Sequence, residues 1–177
     1  SRSVEYRNPY LEPGLSENND YVVSFNNKHL GLLSFSYFNK KIEGLIFSSG
    51  QRYITDASLY GLPGYAETYR INDYKANNPY IVNLDGFEID YQTRFWYLPK
   101  LLRGLVFNAN YTRTNSEVKY PRTVIETKVI FDPSFEVVTL NLDSLYIDRL
   151  LDQPRDIVNL SLGYDYKGFS GRLSMNY

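Results

Sequence analysis

The sequence predicts an all-β protein, an antiparallel transmembrane β-barrel segment of about six strands with long extracellular loops. Three observations predict this fold. Apolar and polar side chains alternate in segment after segment, short and long connections alternate between those segments, and Tyr and Phe are abundant, with 18 and 10 among 177 residues. A barrel wall needs this alternation because lipid lies on one side and water or a polar plug on the other.

The first predicted strands, residues 19–26 and 30–39, form a pair. Their apolar sides carry Tyr21, Val23 and Phe25, and Leu33, Phe35 and Tyr37. Ser34 and Ser36 lie on the polar side of the second strand, whereas Val22 interrupts the polar side of the first. The four residues from Asn26 to His29 are polar, which predicts a short turn between the two strands.

The third strand, residues 80–95, shows the alternation most clearly. Its apolar side carries Phe87, Ile89, Tyr91, Thr93 and Phe95, and its polar side carries Glu88, Asp90, Gln92 and Arg94. Since successive side chains of a strand point to opposite faces, this pattern predicts a strand between an apolar and a polar medium.

The last three predicted strands, residues 102–114, 156–166 and 169–177, repeat the pattern. Their apolar sides carry Leu105, Phe107, Ala109 and Tyr111; Val158, Leu160, Leu162, Tyr164 and Tyr166; and Phe169, Leu173, Met175 and Tyr177. Most of the six segments reach the roughly 9 to 11 residues that a tilted strand needs to cross a bilayer. Aromatic residues near strand ends predict the girdles typical of such barrels, namely Tyr37, Tyr91, Trp96, Tyr97, Tyr164 and Tyr166.

The connections alternate in length. Short links join the strands pairwise, the later two being residues 96–101 and 167–168, whereas residues 40–79 and 115–155 are predicted as long loops. Residues 1–18 are predicted as the end of another long loop. Transmembrane barrels have this asymmetry, with short turns on one side and long loops on the other.

Tyrosine and asparagine concentrate in the first long loop. We expect ligand-binding residues there, because flat aromatic faces and amide groups suit sugars or aromatic chelators. The candidates are Tyr53, Tyr60, Tyr65, Tyr69, Asn72 and Tyr74. The alternative is that these tyrosines pack the loops against each other, which is a common role of buried Tyr.

The second long loop contains two β-prone stretches, residues 123–130 and 135–142, which predict a hairpin beyond the membrane. Residues 143–152 have apolar side chains at roughly helical spacing before Pro154, which predicts a short surface helix. Its acidic residues are expected to face solvent, because they lack the spacing and Gly of a calcium loop; they are Asp143, Asp148 and Asp152.

Composition and residue types exclude several classes of function. The net charge of −1 gives no basis for nucleic-acid binding, and the absence of Cys excludes disulfides and thiolate metal sites. His29 is the only histidine and lies in a predicted turn, while Glu88 and Asp90 have Arg94 as an ordinary ion-pair partner. We therefore expect no enzyme, no cofactor and no metal site.

Five segments resemble one family, the TonB-dependent outer-membrane receptors, in the part late in their barrel. Asn8, Pro9, Leu11, Pro13, Ser16 and Asn18 in NPYLEPGLSENNDY are similar to the family's Asn-Pro-x-Leu-x-Pro-Glu-x-Ser-x-Asn run. Gly14 departs from it, since an acidic residue is usual there. The likeness continues through LGLLSFSYFNKKIEGLI, NLDGFEIDYQ, LRGLVFNANYTRTNS and QPRDIVNLSLGYDYKGFSGRLSMNY.

The resemblance implies energised uptake of a scarce, bulky nutrient, such as a siderophore, cobalamin or a glycan, at the cell outer membrane. It implies a 22-stranded barrel around a plug domain, so we expect this chain to be a partial barrel, with the plug domain absent. The implied partners are outer-membrane lipid, the rest of the barrel and plug, and an inner-membrane energy-coupling protein, with a surface lipoprotein as an open option. The alternatives are a soluble β-sandwich binding module and a passive porin-type or enzyme barrel.

Overall fold

The computed structural model describes residues 2–54, 56–64, 68–131 and 135–177. They are mostly β-strand, paired antiparallel apart from one short parallel pair, which confirms the all-β antiparallel prediction. The strands are β1 (Arg2–Val4), β2 (Leu15–Asn27), β3 (Gly31–Glu43), β4 (Ile46–Ser48), β5 (Arg52–Ile54), β6 (Tyr69–Ile71), β7 (Lys75–Asn77), β8 (Val82–Arg94), β9 (Leu105–Phe131), β10 (Phe135–Asp148), β11 (Asp156–Tyr166) and β12 (Phe169–Asn176).

The chain divides into two compact units. The sheet unit contains Glu17–Lys41, Asn83–Glu117 and Arg149–Tyr177, and the core unit contains Ser1–Ser16, Ile42–Val82 and Val118–Asp148. Strand order in the large sheet is β12-β11-β9-β8-β3-β2, with β10 paired to β9. The described strands form an open sheet and not a closed barrel.

Backbone conformation explains one hairpin turn and one close strand approach in the sheet unit. Lys167 and Gly168 both have positive φ, at 47° and 84°, as a two-residue hairpin turn of the type I′ kind requires. Gly31, at the start of β3, has φ of 86°, and a Cβ there would lie 2.1 Å from the Gln92 carbonyl oxygen. Only glycine therefore fits where β3 approaches β8.

The sequence predictions for the two long loops need correction. Residues 40–79 contain the three-residue strands β4 to β7 and a 3-10 turn, Ser58–Tyr60. The predicted helix over 143–152 is wrong, because residues up to Asp148 belong to β10. This strand pairs with β9 from Phe135↔Phe131 to Asp148↔Val118, and cross-strand bonding overrides the weak helical spacing. The predicted hairpin beyond residue 123 is confirmed by the same pairing.

The core unit buries two small apolar clusters. Ile54, Tyr69 and Ile71 form one, on the three-stranded sheet β1-β6-β5. In the other, the Phe47 ring contacts the Tyr120 ring at 5.7 Å, and Tyr120 stacks on Tyr146 at 5.2 Å between ring centroids. These clusters hold the short strands together, since three-residue strands contribute few hydrogen bonds of their own.

Candidate membrane-facing surface and ligand cavity

The large sheet of the sheet unit has one continuous apolar face. Strand register places Tyr91 opposite Ala109, Ala109 opposite Leu160 and Leu160 opposite Met175. The next row joins Phe107 to Leu162 in the same way. Ring contacts join the rows sideways, including Tyr21–Tyr37, Phe35–Phe87, Phe87–Tyr111 and Tyr91–Phe107. We call this surface the apolar face.

Several large side chains on the apolar face are exposed, and the others are only half-buried. Phe35 and Leu162 are each 48% exposed and Leu173 is 75% exposed. On β3 the apolar residues Leu33, Phe35 and Tyr37 are exposed while Ser34 and Ser36 on the opposite face are half-buried. This is the reverse of a water-soluble sheet, which hides its apolar side chains.

The opposite face of the same sheet carries a hydrogen-bonded polar network. The Asn110 amide donates to the Glu88 carboxylate, and the Asn159 amide donates to the Asn110 side-chain oxygen at 3.3 Å. Further pairs on this face are Gln92–Asp90 at 2.9 Å, Ser24–Ser34 at 2.9 Å, Ser174–Ser161 at 3.2 Å and Arg172–Asp165 at 3.2 Å. The polar side chains thus satisfy one another, mostly across neighbouring strands and, for Gln92 and Asp90, within β8.

Aromatic and cationic side chains gather at the turn end of the sheet. His29 stacks on Trp96 with ring centroids 5.5 Å apart, and the Trp96 indole N–H donates to the Lys28 carbonyl at 3.0 Å. The Lys28 ammonium lies 5.0 Å from the Trp96 ring, and Lys167 lies 5.5 Å from the Tyr166 ring. Trp and Tyr beside Lys are the usual residues at a membrane–water interface.

A polar cluster bounds the apolar face at its other end. The Tyr111 hydroxyl donates to the Asp156 carboxylate at 2.7 Å, and Arg113 approaches the same carboxylate at 3.9 Å. From Leu105 to Arg113, β9 therefore spans nine residues, about 26 Å along the strand at ~3.3 Å per residue. That length matches the roughly nine to eleven residues of a tilted membrane strand.

The predicted ligand-binding residues have different surroundings in the core unit. Tyr69 is 3% exposed, and its hydroxyl donates to the Pro63 carbonyl, so it offers no surface to a ligand. Tyr60 and Tyr74 both pack on Tyr6, at 5.4 and 6.0 Å between ring centroids. For Tyr69 and Tyr60 the packing alternative fits the structure, while Tyr65 lies outside the described residues.

Tyr53 and Asn72 complete that set. Tyr53 is half-buried on β5, opposite Arg70 of β6, and Asn72 is exposed, with its amide donating to the Ser3 hydroxyl at 2.8 Å. Burial raises the pKa of the Tyr6 hydroxyl above its usual value, and the neighbouring Tyr74, Tyr10 and Tyr60 hydroxyls add to the shift. The structure does not bring all the predicted residues to one site.

One cavity in the core unit has the size and lining of a ligand site. Its volume is about 480 Å³, and its walls include Phe47, Arg52, Tyr74, Tyr80, Arg122 and Asp143. Tyr74 is the only residue of the predicted ligand set among its described lining residues. No sequence pattern marks Arg52 and Arg122 as site residues. They line the same cavity only because of the pairing among β4 to β7 and of β9 with β10.

Asparagine side chains fix the backbone of the loops around this unit. The Asn77 amide donates to the Glu12 and Gly44 carbonyls at 2.7 and 2.8 Å, and its oxygen accepts the Glu12 N–H at 2.9 Å. Asn8 donates to the Lys75 carbonyl at 3.0 Å. Asn8 and Glu12 belong to the NPYLEPGLSEN run, so these residues position the segment that leads into β2.

The described residues contain no group of three or more His, Cys, Asp or Glu side chains placed to hold a metal ion. No helix among them is long and apolar enough to cross a membrane. No family model, curated protein or solved structure matches this chain.

Proposed function

We propose that this chain is a wall segment of an outer-membrane β-barrel receptor that takes up a scarce, bulky nutrient with energy supplied from the inner membrane. The exposed apolar face carries this proposal. Moving such a surface from water into lipid is favourable by roughly 25 cal/mol for each Å² of apolar area. A contiguous face of this kind marks an interaction surface, and here lipid is the partner.

The opposite face supports the same assignment. Its side chains form hydrogen bonds across the strands, from Glu88 through Asn110 to Asn159, and it would line the interior of the barrel. Barrel walls alternate in this way between a lipid side and a polar lumen. The aromatic and lysine cluster at Lys28, His29 and Trp96 gives the sheet an anchor at one membrane surface.

β2 and β12 are the outer strands of the described sheet, so each has one edge whose backbone groups face no neighbouring strand. In a membrane such groups need partners, because each unsatisfied group costs several kcal/mol, roughly 2–7 depending on the reference state. We assign these edges to neighbouring strands of the barrel. The energised uptake, the plug, the inner-membrane coupling protein and the surface lipoprotein follow from the resemblance to TonB-dependent receptors.

The soluble sandwich fits the structure less well than the barrel segment does. A sandwich buries the inner faces of its two sheets against each other. In the described residues, the large side chains of the apolar face instead lie exposed or half-buried, and the fully buried apolar residues belong to the core unit except for Leu84. A binding module with this surface in water would aggregate.

The single tryptophan provides a test that needs no substitution. We reconstitute the chain into vesicles whose lipids carry bromine either near the headgroup or near the middle of the acyl chain, and measure quenching of Trp96 fluorescence. We expect stronger quenching by the shallow bromines, because Trp96 lies in the turn-end cluster. No quenching by either lipid would overturn the assignment to the membrane.

Two matched variants extend the test to the sheet faces. In a Trp96→Phe background, Leu160→Trp is expected to be quenched best by the deep bromines, since Leu160 lies on the apolar face opposite Ala109, midway along its span. Ser161→Trp, one residue away on the polar face, is expected to escape quenching by lipid. Equal quenching of the two variants would contradict the two-faced wall.

Ion conductance in planar bilayers distinguishes an energised receptor from a passive porin. We take the protein from its native membrane together with the chains bound to it and measure ion conductance. A receptor closed by a plug should pass little current, because its lumen is filled. Stable open-channel conductance would overturn the energised receptor and favour the porin-type barrel.

A further inference from the structure

The cavity of the core unit, here called the arginine cavity, is large enough for a small organic molecule. Its volume of about 480 Å³ lies within the range of roughly 300–1,000 Å³ that ligand pockets occupy. Aromatic side chains of Phe47, Tyr74 and Tyr80 form part of its wall. Such surfaces favour a ligand with a flat group.

Two arginines of the cavity lie on aromatic rings. The Arg52 guanidinium is 5.2 Å from the centre of the Tyr74 ring, and the Arg122 guanidinium is 5.7 Å from that of Tyr146. Stacking on a ring holds a guanidinium by its flat side and leaves the N–H groups at its edge available. Those groups match the two oxygens of a carboxylate.

Neither arginine uses these donors within the part of the chain that the structure describes. The ion pairs found there involve Arg7, Arg113, Lys128 and Arg172 as cations, not Arg52 or Arg122. Asp143 is the one acidic residue among the described lining residues, against two arginines. The cavity therefore carries a net positive charge and open hydrogen-bond donors.

We propose that the arginine cavity binds a small organic anion that combines a planar ring with carboxylate-like groups. Arg52 and Arg122 hold its negative groups, and the ring lies against the aromatic wall. The inference rests on the proposed function and deepens it, because it narrows the nutrient from any bulky molecule to an anionic one. A neutral glycan would leave both guanidinium groups without a charged partner.

Saturation-transfer NMR on the full chain in detergent tests the site. The probes are benzene-1,3,5-tricarboxylate and its neutral analogue of the same shape, benzene-1,3,5-tricarboxamide. We expect signal transfer to the anion and much less to the amide. Arg52→Gln and Arg122→Gln should each weaken binding of the anion by roughly tenfold or more, the usual effect of losing a charge-assisted hydrogen bond.

Arg7→Gln provides the matched control. It removes the same charge from the core unit, but Arg7 is fully solvated and does not line the arginine cavity. Its affinity for the tricarboxylate should stay unchanged. Equal weakening by Arg7→Gln would show diffuse attraction by charge alone and would overturn the site, as would equal binding of the anion and the amide.

The two probes can be compared on the unsubstituted chain, so a variant that fails to fold does not remove the test. The outcome is also separable from that of the proposed function. Retained Trp96 quenching by lipid without binding of the tricarboxylate overturns the anion site alone. Binding of the tricarboxylate without lipid quenching of Trp96 overturns the membrane assignment alone.

Discussion

The sheet unit and the core unit place the same kinds of side chain in opposite surroundings. Leu173 of the sheet unit is 75% exposed, whereas Ile71 and Tyr120 of the core unit are fully buried. The core unit buries a small set of apolar residues against its own chain, although others on its surface, such as Leu59 and Phe131, are exposed. Among the described residues of the sheet unit, Leu84 is the one large apolar residue that is fully buried, and the proposed membrane would cover the apolar face.

The hydrogen-bond partners of polar side chains also differ between the two units. In the sheet unit they bond mainly to each other, as Ser24 does with Ser34, because the strand ladders already satisfy the backbone. In the core unit they bond to backbone carbonyls, as Asn78 does with Lys119 at 2.9 Å. Loops without ladders need such side-chain partners for their backbone.

The largest loss of stability should come from creating a cavity in the core unit. Ile71→Ala is expected to lower the free energy of unfolding by roughly 2–5 kcal/mol, because it removes buried contacts and leaves a cavity. Leu162→Ala on the apolar face should cost less, since detergent or lipid fills the gap. Urea unfolding in detergent measures both values. Equal losses in the free energy of unfolding would contradict the difference in burial between the two units.

A charge on the apolar face should have a large effect only in a membrane. Leu160→Arg is expected to weaken insertion by about 2–4 kcal/mol, because Leu160 lies opposite Ala109, midway along the apolar face, and a charge costs most at the bilayer midplane. Ser161→Arg, on the polar face, should insert almost normally. Urea titration of folding into vesicles gives both values. If the two variants insert equally well, the apolar face does not contact lipid.

A smaller effect distinguishes the structural role of Tyr69 from ligand binding. Tyr69→Phe removes the hydroxyl that donates to the Pro63 carbonyl and should cost about 1 kcal/mol of stability. Binding of the tricarboxylate should not change, because Tyr69 does not line the arginine cavity. Tyr10→Phe, at an exposed position, is the control and should leave stability unchanged. Reduced binding with unchanged stability in Tyr69→Phe would restore Tyr69 as a ligand residue.

The smallest effect is a pH dependence confined to the core unit. The pKa of Tyr6 is raised in the folded chain, so the unfolded chain loses this proton first as pH rises. Stability should therefore be fully present below the ordinary tyrosine pKa and fall as pH rises above it through the folded value. Urea unfolding at a series of alkaline pH values measures the fall, and Tyr6→Phe should make it shallower. An unchanged slope in that variant would contradict the raised pKa.

The sequence predicts the strands of the sheet unit well because their alternation is a local property. β11 is predicted at residues 156–166 and lies at Asp156–Tyr166. The sequence predicts β9 as two separate pieces, residues 102–114 and the β-prone stretch 123–130, whereas the structure has one strand that continues to Phe131. Pro121 and the charged residues around it interrupt the alternation between the two pieces, and pairing with β10 stabilises the second half.

The core unit is less predictable for a physical reason. Its strands β4 to β7 are three residues long, too short for a period of two to appear. Tyr69 and Tyr74 lie five residues apart in the same predicted loop, yet one is buried and the other lines the arginine cavity. Residue type and spacing do not distinguish them, because their burial depends on contacts with distant segments.

The sequence by itself determined that this chain is all-β and that its sheet has one apolar and one polar face, because neighbouring side chains on a strand must point to opposite sides. Tertiary structure alone decided which tyrosines are buried and which arginines meet at a cavity. Those outcomes depend on pairings between residues far apart in the chain, as when Ser144 pairs with Arg122, and no local pattern encodes them.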